Sequence, residues 1–402
     1  MVLTTRTLTD ADHWTVNDLL YFSRGRPALP ADAWVRPRPL QGVLLESDRT
    51  PIAVQTLSFE PIRLNGRTAV LCQVLKEAMV PGVTGKQVVA ALYAAAGQAV
   101  RDQNAALMTT LSEPPAPWVP AARASAEYGA TVRRAMPPFQ RGWVHLVTPG
   151  VGGGAPPAWG DVRPMRTADA GAVIALYERR LGGLNGSCVR SGQDWADLWR
   201  RPDDRSFVIG EGTGLSGYLR LEPMAFPAGG GWRVGDLLET GPAAGHALWQ
   251  VALALGTQAQ GLWVPPLPPD RPWRRWLDGL PVTTWPAVGL IRPGAMQPFL
   301  AALAFASPAG SLVLGIVDPY RLWPRRVRIT WENHALVECG ETTAEPVAAM
   351  GVGALALLGP GLTPAPALWR QRLVDADLPT IARLAATWSA GPFFANWPNA
   401  GI

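Results

Sequence analysis

Residues 74–89 read VLKEAMVPGVTGKQVV, and this stretch decides the fold. An apolar run ends at Val80-Pro81, a short loop holding Gly82 and Gly85 follows, and a helix begins at about Thr84 to Lys86. From Thr84 to Asp102 the apolar residues Val88, Leu92, Ala95, Ala96 and Val100 recur at helical spacing. The first amides of a helix have no partner inside it and carry partial positive charge, so such a junction suits a phosphate or pyrophosphate. Lys86 in the first turn and Lys76 on the preceding strand add charge of the right sign.

Working outward, Gly42–Ser47 and Pro51–Phe59 read as strands, Asn65-Gly66 as a tight turn, and Thr68–Met79 as a long strand. A short strand, Ala105–Leu111, follows the helix. Strand pair, long strand, helix, strand is an α/β order in which the helix returns onto the sheet. The Gly/Pro-rich stretch Thr148–Gly160 reads as a linker. After it come a strand at 161–164, a helix from Thr167 to Arg180, strands at Ser206–Ile209 and Gly217–Leu221, and a helix at Gly241–Leu255. This loosely repeats the plan of the first block. From about residue 290 the pattern changes to antiparallel strands at Leu312–Asp318, Val327–Glu332 and Ala335–Cys339, then helices at Pro346–Gly359 and Asp377–Trp388. The expected class is α/β (α+β), with domains at 1–150, 151–290 and 291–402.

The strand, the Pro and the amphipathic helix together resemble the coenzyme A-binding segment of the GNAT superfamily of N-acetyltransferases. That family has Pro-x-x-Arg-x-x-Gly at this junction. Here Pro81 matches the Pro, Thr84 stands in place of the Arg, Gln87 stands in place of the Gly, and Lys86 falls where a basic residue is common. The whole plan is similar to the enhanced intracellular survival (Eis) family, whose members have a catalytic GNAT domain, a second GNAT domain without a cofactor site, and a C-terminal domain like sterol carrier proteins. Val162-Arg-Pro with Thr167-Ala-Asp169, Gly186-Ser-Cys-Val-Arg190 with Trp195, Val234-Gly-Asp-Leu-Leu238 with Ala247-Leu-Trp249, and Gly289-Leu-Ile-Arg292 carry the likeness in the middle block. Gly353–Gly359 followed by Leu368, Asp377 and Leu384 carries it in the last.

The resemblance implies transfer of an acetyl group from acetyl-CoA to a primary amine. It implies cofactor contacts from Met79, Val80, Thr84, Gly85, Lys86, Gln87 and Val88. It also implies Tyr128, followed by Gly129, as general acid toward the departing thiolate, and the terminal carboxylate of Ile402 as base for the amine. A trimer-based homo-oligomer, possibly a hexamer, is implied as well. Relatives that acetylate aminoglycosides hold a polycation with acidic and aromatic residues early in the chain. The comparable stretch here offers Tyr21, Phe22 and the basic Arg24, so a polycationic acceptor is not expected. Thr84 and Gln87 also leave open a second reading, a catalytically degenerate member that binds a small apolar ligand or serves as an oligomeric scaffold.

Composition narrows the other classes. Lys76 and Lys86 are the only lysines among 36 Lys and Arg residues in a chain of 402, and the net charge is +5. No run of five basic residues occurs, so no nucleic-acid partner is expected. Arg321, Arg325, Arg326 and Arg328 form the densest basic patch and read as a solvated strand face or subunit contact. Trp143, Trp195, Trp199, Trp249 and Trp323 are not interleaved with basic residues and read as packing. Cys72, Cys188 and Cys339 are few, odd in number and far apart, and the four histidines are scattered, which argues against disulfides and against a metal centre. Asp203-Asp204 has no third carboxylate beside it. The polar N-terminus and the broken apolar run Ala301–Val317 give neither a signal peptide nor a span, so the expected setting is the cytoplasm, with no membrane partner.

Overall fold

Three two-residue turns of left-handed backbone fold neighbouring strands back on one another: Asp48-Arg49, Asn65-Gly66 and Asn333-His334, with φ of 50° and 68°, 51° and 75°, and 50° and 61°. Positive φ at both positions matches the right-handed twist of a hairpin, and Asn, Asp and Gly reach it at low cost. The computed structural model describes residues 3–24, 41–80, 86–112, 138–147, 160–201, 204–226, 229–264 and 282–388. By contact the chain divides into two compact units, one of Met1–Gln140 with Val288–Ala395, the other built on Arg141–Ala287.

In the first unit a mixed sheet runs in the order β1 (Leu3–Thr7), β2 (Gln41–Ser47), β3 (Thr50–Leu64), β4 (Arg67–Met79), β5 (Leu107–Ser112) and the later strand β12 (Val282–Pro293, from residue 288). Its pairs are antiparallel except β4 with β5, which are parallel and joined by the helix α2 (Lys86–Asp102). Side chains alternate between faces. Val43, Leu57, Cys72, Val74 and Met108 pack under Val88, Leu92, Ala96 and Val100 of α2. Leu44, Val54 and Ala78 face the other way, against Leu8 and against Val16 and Leu19 of α1 (His13–Arg24). Cys72 is a small buried hydrophobe, its thiol pushed up by burial.

The rest of this unit is a second, smaller α+β layer. Its sheet runs β15 (Ala335–Glu341), β14 (Arg326–Glu332), β13 (Ala309–Val317), β16 (Ala348–Gly351) and β17 (Val374–Asp375). Helices Met296–Ala301, Val352–Leu358, Ala365–Arg370 and Leu378–Thr387 accompany it. The helix expected over Pro346–Gly359 is therefore shorter. Residues 348–351 are a strand, parallel to Leu314–Val317, and the helix starts at Val352. Alanine and methionine there suit a helix by propensity, but the open edge of β13 captures the segment, and tertiary pairing overrides local preference.

The second unit repeats the first sheet. Its order is β7 (Val162–Pro164), β8 (Arg205–Ile209), β9 (Gly217–Phe226), β10 (Gly229–Glu239), β11 (Leu262–Val264) and the earlier strand β6 (Pro138–Val147). Helices α3 (Ala170–Leu181), α4 (Gly192–Trp199) and α5 (Pro242–Gln258) pack on it. Trp195 and Trp249 are buried, as expected, and so is Trp323 in the first unit; Trp143 lies in β6 with its side chain outside the described residues. The first unit thus closes its sheet with β12, from far along the chain, and the second with β6, the strand that precedes β7.

Both repeats open with the same device. Arg6 donates two hydrogen bonds to Asp12 at 2.8 and 2.7 Å, and Thr9 N donates to the same carboxylate at 2.8 Å. In the second unit Arg163 donates to Asp169 at 2.7 and 2.8 Å, and Arg166 N at 2.7 Å. Each aspartate clamps the exit of an edge strand to the 3-10 turn before a helix. The Arg163 hydrogen bonds hold the Asp169 carboxyl down to about 2. Since the folded-state pKa lies below the unfolded value near 4, this stabilisation is complete above about pH 4 and is lost as pH falls toward 2. Asp169→Asn should lower the melting temperature at pH 7 and flatten its fall between pH 4 and pH 2, measured by circular dichroism across that range.

Candidate functional site

The parallel ladder between β4 and β5 pairs Leu71 with Leu107, Cys72 with Met108, Gln73 with Thr109 and Val74 with Thr110, and there it stops. Both strands continue. β4 runs on to Met79, still paired on its outer side with β3 as far as Ala53–Met79. β5 runs on to Ser112, still paired with β12 as far as Val288–Ser112. Two strands held from outside and released from each other leave a wedge between them. A bulge sits at its apex: Thr56 opposes Lys76 and Leu57 opposes Val74, so Leu75 is the extra residue on β4. A bulge bends its strand and increases the local twist, which turns β4 away from β5. Among the described residues no strand pairs with the inner side of residues 75–79, and their backbone N–H and C=O groups there are ones that an extended ligand could satisfy.

The same wedge lies before α2, whose first turn is Lys86, Gln87, Val88 and Val89 and carries no acidic residue. Gln87 is exposed, while Val88 and Val89 point into the core. Of the residues named from sequence, Met79 packs against the α2-side core and Val80 against the α1-side core. The Val80 N–H donates to Ile52 O at 2.9 Å, so that amide is committed within the sheet. Lys86 begins α2, with its side chain outside the described residues. Thr84, Gly85, Tyr128 and Ile402 lie outside the described residues altogether, as does Asp203.

A polar cluster that sequence reasoning did not find lies on the α2 side of this edge. Glu77, beyond the last rung of the β4–β5 ladder, accepts hydrogen bonds from Tyr93 Oη at 2.7 Å and from Gln55 Nε2. Tyr93 stacks on Tyr320, with ring centres 5.4 Å apart and planes at 13°. The Arg292 guanidinium lies 5.3 Å from the Tyr320 ring centre and donates to Asp318 at 3.1 Å. Burial, reinforced by the Glu77 charge, pushes the Tyr93 hydroxyl well above its ordinary pKa, so it remains a donor. Burial pushes Tyr320 up to about 12. These residues come from β3, β4, α2, β12 and the C-terminal layer, and no sequence spacing links them.

The second unit has the same frame with different contents. β10 pairs Trp232 with Leu262 and Arg233 with Trp263, and its bulge residue, between Val234 and Asp236, is Gly235. One pair beyond the bulge, where the first unit has Thr56 and Lys76, stand Arg220 and Asp236. Asp236 accepts from Arg190 at 2.8 and 3.2 Å and from Arg220 Nε at 2.9 Å. Arg220 also reaches Asp204 at 2.9 Å and Glu222 at 2.6 Å. Arg190 lies over the rings of Tyr177 and Trp195, at 4.6 and 4.7 Å. Burial works against the charge on Asp236, but Arg190 and Arg220 outweigh it and hold the carboxyl well below its usual range. A Cβ at Gly235 would stand 2.7 Å from Arg220 Nη2, so any larger residue there would displace that guanidinium. Only Thr240-Gly241 separates β10 from α5, against residues 80–85 in the first unit.

No protein-family model and no curated protein matches the chain. Solved structures do. A GCN5-related N-acetyltransferase from Anabaena variabilis is 12% identical with a TM-score of 0.69, over 98% of this chain and 100% of that one. A GCN5-related N-acetyltransferase from Kribbella flavida is 18% identical with a TM-score of 0.66, over 98% and 99%. Eis1 from Mycobacterium abscessus is 18% identical with a TM-score of 0.61, over 98% and 99%. The chain shares its α+β fold with these proteins along nearly its full length. Among the described residues no helix is long and apolar enough to cross a membrane, and no three His, Cys, Asp or Glu side chains gather to hold a metal ion.

Removing the charge of Asp236 takes the carboxylate away from the buried Arg190 guanidinium and one of three carboxylate partners from Arg220. Asp236→Ala should cost about 3–5 kcal/mol of stability, the range for breaking a buried ion pair from one side. Urea unfolding of the full chain checks this, and a loss below about 1 kcal/mol would show the network to be solvated.

Proposed function

We propose that the protein is an acetyl-CoA-dependent N-acetyltransferase acting on a small-molecule primary amine. The observation that carries this reading is the parting of β4 and β5 beyond Val74 and Thr110, directly before the first turn of α2. The shared fold with GCN5-related N-acetyltransferases supports it. The residues present fit such a donor. The open edge of residues 75–79 would bond the amide-bearing arm as another strand would. The first turn of α2, free of acidic side chains, would face the phosphates.

Bound acetyl-CoA supplies a thioester that a neutral amine attacks. The chain must therefore take a proton from the ammonium and give one to the departing thiolate. Tyr128 as acid and the Ile402 carboxylate as base remain the assignment that the family resemblance implies. In this reading the second unit binds no cofactor. Its position one pair past the bulge is filled by the Arg220–Asp236 pair, and its helix begins almost directly from the strand. A trimer-based homo-oligomer and a sterol-carrier-like role for the C-terminal layer belong to the same proposal.

Titration calorimetry with acetyl-CoA tests the donor. Saturable binding tighter than about 1 mM is expected, and its absence favours the scaffold reading. Gln87→Glu gives a sharper result. An acid in the first turn complements the helix dipole, so thermal stability should hold or rise slightly, while repulsion of the phosphates should weaken acetyl-CoA binding by about threefold to tenfold. Unchanged affinity in that variant would move the phosphates away from α2.

A further inference from the structure

Beyond Val74, β3 is the one strand among the described residues that pairs with β4, and contacts on the two faces of β4 help to set its position. On the α2 side Met79 packs against the core and Glu77 accepts from Tyr93, and behind Tyr93 stands a loop of the C-terminal layer, residues 318–323. This loop is wound around one carboxylate. Asp318 accepts from Tyr320 N at 3.1 Å, Leu322 N at 2.8 Å, Trp323 N at 3.1 Å and Arg292 Nη2 at 3.1 Å. Trp323 Nε1 donates to Gly294 O at 2.8 Å, which fixes the end of the loop to the chain that follows β12.

The wound loop presses on α2 at two levels. Tyr320 stacks on Tyr93. One turn further along, Leu322 sits over Gly97, where a Cβ would come within 2.1 Å of Leu322 Cδ1, and Leu322 O accepts from Arg101 Nη1 at 3.3 Å. A glycine in mid-helix costs about 1 kcal/mol relative to alanine, and here it admits the leucine.

We propose that loop 318–323 is a buttress for the donor site: through the Tyr320–Tyr93–Glu77 chain it holds residues 75–79 of β4 and the first turns of α2 in place, so that the C-terminal layer sets donor affinity. Tyr320 and Tyr93 are positioning residues in this scheme. It rests on the acetyl-CoA reading for its consequence, but the mechanical part does not.

Two measurements on full-length Tyr320→Ala and Tyr320→Phe separate them. Hydrogen exchange without ligand should rise about tenfold at residues 75–79 and 86–93 in Tyr320→Ala, while β13 and β14 stay protected and Tyr320→Phe, which keeps the ring stack, exchanges as wild type. Acetyl-CoA titration should show the dissociation constant raised about fivefold or more in Tyr320→Ala and restored to within about twofold in Tyr320→Phe. Unchanged exchange at 75–79, or unchanged affinity in a wild type that binds, overturns the proposal. Wild-type protein that binds no acetyl-CoA overturns the donor reading instead, and raised exchange in Tyr320→Ala then still supports the buttress. If Tyr320→Ala loses its fold by circular dichroism, Tyr93→Phe, which keeps the rings and removes the hydroxyl that donates to Glu77, decides by the same exchange measurement at 75–79.

Discussion

A parallel strand pair that stops pairing halfway must be held apart, because two bare strand edges a few ångströms from each other would otherwise close the ladder. In the first unit that constraint falls on Val74 and Thr110, the last rung between β4 and β5. Leu75 supplies the bend, and β3 and β12 supply the outer ladders that keep each strand straight after the rung is lost. The helix that joins the two strands then starts beside the opening. This follows from topology, since a parallel pair needs a crossover and the crossover leaves from the end of β4.

The second unit shows what the same frame does when its interior is charged. Arg220 and Asp236 face each other across β9 and β10, and Arg190 completes the clamp from the segment before α4. Such a network gains its Coulomb energy in a poorly hydrated place and loses much of it to desolvation, so its worth lies in geometry more than in stability. It fixes the strands, the bulge at Gly235 and the segment before α4 in one arrangement. The corresponding place in the first unit holds Thr56 opposite Lys76 in place of Arg220 and Asp236. One repeat is locked by ion pairs, and the other is braced from outside through aromatic rings.

What could be read from sequence follows the range of the forces involved. Asn65-Gly66, the long strand before Val80 and the periodic face of α2 are local, and each formed close to where it was expected. Residues 348–351 were misread because strand pairing with β13 is non-local and the local propensity points to helix. At the candidate site the helix start was legible and the open edge was not. The rung at Val74–Thr110 joins strands whose register no short pattern encodes. Tyr93, Arg292 and Tyr320 carry no signal at all until the chain brings them together. One missed signal was available: Arg6 with Asp12 and Arg163 with Asp169 stand at the same spacing, each before a helix, and mark the start of each repeat.

The grouping of the C-terminal layer with the first sheet also has a physical source. The Asp318 side chain is buried and accepts four donors, three of them amides of its own loop, so most of what shapes the loop lies within it. A rigid loop transmits position, whereas a flexible one would only fill space. Arg292 makes the connection directional, since it leaves the sheet at β12, bonds Asp318 and covers the Tyr320 ring. Burial draws the Arg292 guanidinium below its ordinary pKa while Asp318 opposes that, so the charge is retained because its partner is fixed. Loss of Asp318 would therefore release three amides and one guanidinium together. The first sheet would keep its hydrophobic core but lose the element that stands behind Tyr93.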